Sequence, residues 1–197
     1  MNILCFGDSL TAGYYNEGNA FHPYSIRLRE LLKDSNIDYI GLSGYTSDEM
    51  LSTIDKEIIT DYIDISGCGL RIQLKKKQYD LCIILAGSND VADNELPDPI
   101  ISDIFKLHEI VHEMGTKSIA LTIPKIKFEN CDENITNIRK KINKALYNGI
   151  EQYTNNYRVI DIDKYIGDNF EYIDDDGLHF KPEGYDKIAE YIATFIN

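Results

Sequence analysis

Short apolar runs alternate along the chain with longer stretches in which apolar residues recur every three or four positions. Asn2 to Phe6, Asp38 to Leu42, Leu81 to Ala86, Lys117 to Ile123 and Tyr157 to Ile160 are each bounded by turn residues or charges and are read as strands. Four of them are rich in Ile, Val or Leu, as strands buried on both faces require. Between them, Ile26, Leu28, Leu31 and Leu32 stripe one face of a helix over Tyr24 to Lys33. Ile101, Ile104, Phe105, Leu107, Ile110 and Val111 do the same over Ile100 to Met114, with Gly115 placed as a C-terminal cap. Further helices are expected over Ile135 to Tyr153 and Pro182 to Ile196, where Pro182 suits a first turn. From Ile58 to Gln78 the pattern is broken by Ser66, Gly67 and Gly69, so a helix, a small hairpin or both remain open there. Strands feeding crossover helices define an α/β protein with a five-stranded parallel sheet covered on both faces. No repeat, linker or composition shift divides the 197 residues, so a single domain over 1–197 is expected.

Charge narrows the partners. A formal net charge of -13 repels nucleic acid and anionic membrane surfaces. The basic run Lys75, Lys76 and Lys77 is too short to reverse this and reads as a solvated helix end. The N-terminus opens into an apolar strand without signal-peptide features, and no apolar stretch reaches membrane-spanning length. Cys5, Cys68, Cys82 and Cys131 lack metal-type spacing and read as reduced thiols, so a cytoplasmic location is expected. Oligomeric state is not legible.

In open parallel sheets chemistry gathers beyond the carboxyl ends of the strands. The first strand ends in Gly7-Asp8-Ser9-Leu10, which places a hydroxyl at that rim. A neutral alcohol needs a base, and the base needs a partner that fixes its tautomer. His179, in Asp176-Gly177-Leu178-His179 after the fifth strand, is the candidate base. Asp176 can fold back onto it within one turn; Asp174 and Asp175 are rival carboxylates, and Asp8 is assigned to the turn that presents Ser9. An oxyanion then needs donors, for which Gly44 N–H, the Asn89 amide in Gly87-Ser88-Asn89-Asp90, and Ser9 N–H are the candidates.

These blocks resemble those of the SGNH (GDSL) hydrolases. Phe6-Gly7-Asp8-Ser9-Leu10-Thr11-Ala12-Gly13-Tyr14 is similar to the first block and Gly41-Leu42-Ser43-Gly44-Tyr45-Thr46 to the second. Gly87-Ser88-Asn89-Asp90 and Asp176-Gly177-Leu178-His179 match the third and last. The resemblance implies a flavodoxin-like, three-layer α/β/α domain and a hydrolase without metal or organic cofactor. It also implies Ser9, Asp176 and His179 as catalytic residues and Ser9, Gly44 and Asn89 as the oxyanion hole. Its substrates are small-molecule esters: short-chain acyl esters, acetylated sugars, lysophospholipids or thioesters. The second block lacks an Asn often found before its Gly, and Ser88 stands where Thr is common.

Two other readings compete. His108-Glu109-Ile110-Val111-His112 fits the zinc-protease pattern and runs on to Gly115, but Ser118 occupies the third ligand's position. A solvated or half-buried helix face is the expectation for it. A non-catalytic binding domain on the same fold is the other. His22 reads as pocket mouth or surface loop, and Tyr14, Tyr15, Phe21, Tyr24 and Tyr45 as an aromatic-lined pocket or as ordinary packing, since the chain has 14 tyrosines.

Overall fold

The computed structural model describes residues 1–127, 132–153 and 156–196. Five parallel strands form the central sheet: β1 (Asn2–Gly7), β4 (Asn36–Gly41), β7 (Leu81–Leu85), β8 (Lys117–Leu121) and β9 (Tyr157–Ile160). Their spatial order is β4-β1-β7-β8-β9, a doubly wound arrangement in which the direction of travel reverses between β1 and β7. The expected strands are all present. The second begins earlier than its apolar run, because Asn36 and Ile37 pair with Asn2 and Ile3. The fourth ends before Ile123, whose N–H donates to Asn143 Oδ1 at 2.8 Å while its carbonyl accepts from Asn143 Nδ2 at 2.9 Å. A side-chain amide there replaces a neighbouring strand.

Side-chain alternation builds the layers, since successive residues of a strand face opposite sides. Leu4, Phe6, Cys82, Ile84 and Ala120 enter one core with Ile104, Leu107 and Val111 of α6 (Pro97–Glu113) and Ile138, Ile142 and Leu146 of α7 (Glu133–Tyr153). Ile3, Cys5, Ile83, Leu85, Ile119 and Leu121 enter the other. There they meet Tyr24 and Leu28 of α2 (Tyr24–Leu31) and Tyr185, Ile188, Ala189 and Ile192 of α9 (Pro182–Ile196). The result is the expected three-layer α/β/α architecture, with every central strand covered on both faces.

The interrupted segment contains both alternatives: a two-stranded hairpin, β5 (Ile59–Thr60) with β6 (Ser66–Gly67), followed by α4 (Leu70–Lys76). A second small hairpin, β2 (Tyr14–Tyr15) with β3 (Ala20–Phe21), follows α1 (Ser9–Ala12). Two short helices open just beyond strand ends, α3 (Ser47–Ser52) after β4 and α5 (Ser88–Ala92) after β7. The fold is completed by α8 (Ile162–Ile166). Cys5, Cys68 and Cys82 are free and buried, while Cys131 lies outside the described residues.

Candidate active site

The chain turns abruptly after β1. Gly7 is wedged between β4 and β7, and a Cβ there would lie 2.0 Å from the Leu85 carbonyl oxygen. Asp8 then caps α1 by accepting the Leu10 N–H at 2.9 Å, which sets Ser9 at the first helical position over the switch point. Asp8 is fully buried; burial lifts its carboxyl to about 6, against the Leu10 N–H, the Ser88 hydroxyl and the charge of His179, which pull it down.

From the other end of the chain, the loop before α9 returns to this spot. Ile173 and Phe180 pair across the loop's base, and Asp174 N–H donates to the His179 carbonyl at 2.7 Å. Within it, Asp176 Oδ1 accepts both the Leu178 and His179 N–H groups, at 2.9 and 3.0 Å. Its Oδ2 accepts His179 Nδ1–H at 2.6 Å. With Nδ1 carrying that proton, Nε2 faces Ser9 and accepts its hydroxyl at 2.7 Å. Burial alone raises the Asp176 carboxyl, but the imidazole and the two backbone donors outweigh it and bring the group down to about 2. Of the rival carboxylates, Asp174 is engaged elsewhere, accepting the Asn16 N–H at 2.6 Å.

Of the candidate donors besides Ser9 N–H, Gly44 lies on the loop after β4 and Asn89 in the first turn of α5, just after β7. Gly44 has φ +83°, and a Cβ there would approach Tyr62 Cδ2 to 2.6 Å, so both backbone and space call for glycine. Among the described residues, the N–H groups of Ser9 and Gly44 make no hydrogen bond. Asn89 donates one amide hydrogen to the Tyr45 carbonyl at 2.8 Å, which orients the side chain and leaves its second N–H. Beneath them, buried Asp90 accepts the Ser47 N–H at 3.0 and 3.1 Å and the Ser47 hydroxyl at 2.5 Å, locking the two loops together.

All five residues named from the sequence thus lie at the carboxyl edge of the sheet, on the loops or in the first helical turns that follow its strands, with Ser9 in contact with His179 and His179 with Asp176. Several supporting groups were not legible. Tyr62 lies over Gly44 and donates to Glu49, whose side chain also closes a capping box with Thr46. The Thr46-x-x-Glu49 spacing is a sequence signal for α3, whereas nothing local marks Tyr62. Asp61, which accepts the Ser43 N–H at 2.9 Å, likewise comes from the unread segment. Tyr24 is fully buried in the core rather than at a pocket, and His22 is bound to Asp186 at 2.8 Å.

His108 and His112 belong elsewhere. His108 is fully buried, not on a solvated or half-buried face, because its Nδ1 and His112 Nε2 both contact the Ser118 hydroxyl at 2.8 Å. Burial, then the neighbouring His112, drives His108 down to about 3 and keeps it neutral, while Glu109 is exposed. Ser118, in the position of the missing ligand, is thus what the two imidazoles hold.

A doubly wound sheet carrying hydroxyl, imidazole, carboxylate and free amide donors at its switch point defines a hydrolase acting on esters. The chain belongs to the GDSL-like lipase/acylhydrolase family, whose model matches residues 5–187. Solved structures share its fold. A lipase/acylhydrolase from Enterococcus faecalis is 23% identical, with a TM-score of 0.75 and coverage of 99% of this chain and 94% of that one. A member of the lipolytic G-D-S-L family from Veillonella parvula is 15% identical, with a TM-score of 0.77 and coverage of 98% and 97%. A carbohydrate esterase family 3 protein from Talaromyces cellulolyticus is 17% identical, with a TM-score of 0.74 and coverage of 100% and 96%. A comparison with curated proteins gives no match. Among the described residues no helix is long and apolar enough to cross a membrane.

Proposed function

We propose that the protein hydrolyses small neutral carboxylic esters through an acyl-enzyme on Ser9. The observation that carries this reading is the unbroken relay from Asp176 to His179 at 2.6 Å and from His179 to Ser9 at 2.7 Å. His179 Nε2 takes the Ser9 proton as Oγ attacks the carbonyl carbon. The N–H groups of Ser9 and Gly44 and the Asn89 amide hold the oxyanion. Collapse of the tetrahedral species expels the alcohol, which takes its proton from His179. Water then attacks the acyl group with His179 again as base, and Ser9 is restored. Asp176, with its carboxyl at about 2, stays ionised throughout and stabilises the transient imidazolium.

The rim supports a neutral substrate. Asp48 and Glu49 on α3 and Asp93 and Glu95 beyond α5 flank the donor loops. Burial, then the carboxylates of Asp90, Asp93, Asp48 and Glu49, raise Glu95 above its ordinary value. A polyanionic acyl carrier is repelled there. The free, buried thiols of Cys5, Cys68 and Cys82 support a cytoplasmic location for a single-domain enzyme.

Labelling with a fluorophosphonate followed by peptide mapping tests the mechanism. The label is expected on Ser9, absent in Ser9→Ala, and that variant is expected to melt as the parent does. A label on another residue, or full ester turnover by Ser9→Ala, removes the reading.

A further inference from the structure

We infer that Tyr14 is a positioning residue for the reaction: its ring face backs the His179 imidazole and stabilises the imidazolium that forms when the Ser9 proton arrives. This rests on the Ser9–His179–Asp176 reading above. The Tyr14 and His179 ring centroids are 4.3 Å apart, with the ring planes inclined at 40°. That is well inside the distance over which an aromatic face attracts a cation. Asp176 fixes one edge of the imidazole and Ser9 the other; Tyr14 bounds its face.

The chain spends several contacts on holding this ring. Gly13 ends α1 in a left-handed conformation, which turns the backbone directly into β2. The Tyr14 carbonyl accepts the hydroxyl of fully buried Tyr185, from α9, at 2.8 Å. Phe21, its partner across the hairpin, meets the Tyr14 ring edge-on at 5.9 Å. Gly18 lies flat against the ring, where a Cβ would come within 2.8 Å of Tyr14 Cε2. At the tip, the Asn16 N–H donates to Asp174, so the hairpin is strapped to the loop that bears Asp176 and His179. A surface hairpin with no task at the site has no reason to be tied to both α9 and the histidine loop.

The carboxylates of Asp176 on its own loop and of Asp8 below Ser9 lie beside the imidazole, and Asp174 is occupied by Asn16. Removing the Tyr14 ring takes away one further source of stabilisation for the protonated form. The acid limb of the rate profile is then expected to move down. Simple loss of packing lowers the plateau without moving the limb.

The rate of Ser9 phosphonylation by a fluorophosphonate is a readout that needs no knowledge of the natural ester. Ser9 Oγ bonds to phosphorus, fluoride leaves, and His179 receives the hydroxyl proton. Measured against pH, Tyr14→Phe is expected to stay within about threefold of the parent, because the ring face is retained. Tyr14→Leu is expected to react about tenfold more slowly, with its acid limb about half a pH unit lower. With p-nitrophenyl acetate, kcat is expected to fall and KM to change less than twofold. Tyr14→Met, whose flexible chain fills the same space, is expected to match Tyr14→Leu and serves if the leucine variant does not fold. A leucine or methionine variant that labels at the parental rate, or slows with an unmoved acid limb, overturns the inference. Failure of the parent to label at Ser9 instead sinks the catalytic reading beneath it.

Discussion

The side-chain amide of Asn89 donates to the main-chain carbonyl of Tyr45 at 2.8 Å, joining α5, just after β7, to the loop that carries Gly44. One hydrogen bond thereby aims the second amide hydrogen before any ester arrives. Asn89→Ala is expected to lower kcat by about 10²- to 10³-fold, the usual cost of one oxyanion donor, with a much smaller change in KM. Steady-state kinetics on a p-nitrophenyl ester checks this; a variant impaired only in KM would place Asn89 in ground-state binding instead.

Asp8 carries a stability cost at the site. Its ordinary value of 3.8 is raised to about 6 in the folded protein, so between those values the native state holds a proton that the unfolded chain has released. Stability contributed by this group therefore falls as pH rises from about 4 through about 6. Asp8→Asn keeps an oxygen for the Leu10 N–H and removes the buried charge. Urea melts at pH 7.5 are expected to show the variant more stable by roughly 1–3 kcal/mol, with the difference vanishing near pH 4. Equal stability at both pH values would mean that burial does not lift the Asp8 carboxyl above its ordinary value.

The His108–Ser118–His112 cluster is structural. Ser118→Ala takes the hydroxyl from a fully buried imidazole nitrogen and is expected to cost about 1–3 kcal/mol in a denaturant melt. Ser9 labelling at a temperature where the variant is folded is expected to be unchanged, and EDTA to affect neither protein. Loss of ester turnover on chelation would return these histidines to the reaction.

On the proposed reading, charge beside the site sets a preference among esters. A short-chain p-nitrophenyl ester is expected to show a kcat/KM at least about tenfold above that of the coenzyme A thioester of the same acyl group at low ionic strength. The gap is expected to narrow in about 0.5 M salt, where exposed charges are screened. A preference for the thioester at low salt would contradict the neutral-substrate reading.

What the residues determine locally was legible from their order. Apolar runs of four to seven residues announced every strand of the sheet, helical stripes announced α2 and α6, and helices were also expected where α7 and α9 lie. The three-residue spacing of Asp176 and His179 closes on itself, since a single carboxylate can accept the Leu178 and His179 N–H groups and still reach the ring. Periodicity reports which face of an element is buried but not which neighbour buries it. The β4-β1-β7-β8-β9 order, the contact of Ser9 with His179 across 170 positions, Tyr62 over Gly44, and Tyr14 against His179 therefore emerged only in three dimensions. Each depends on crossover connections and on packing between segments far apart in the chain, which no short window of sequence contains. The buried state of His108 was missed at short range: the Ser118 hydroxyl that accommodates it is only 10 positions away, but the two meet only when α6 packs against β8.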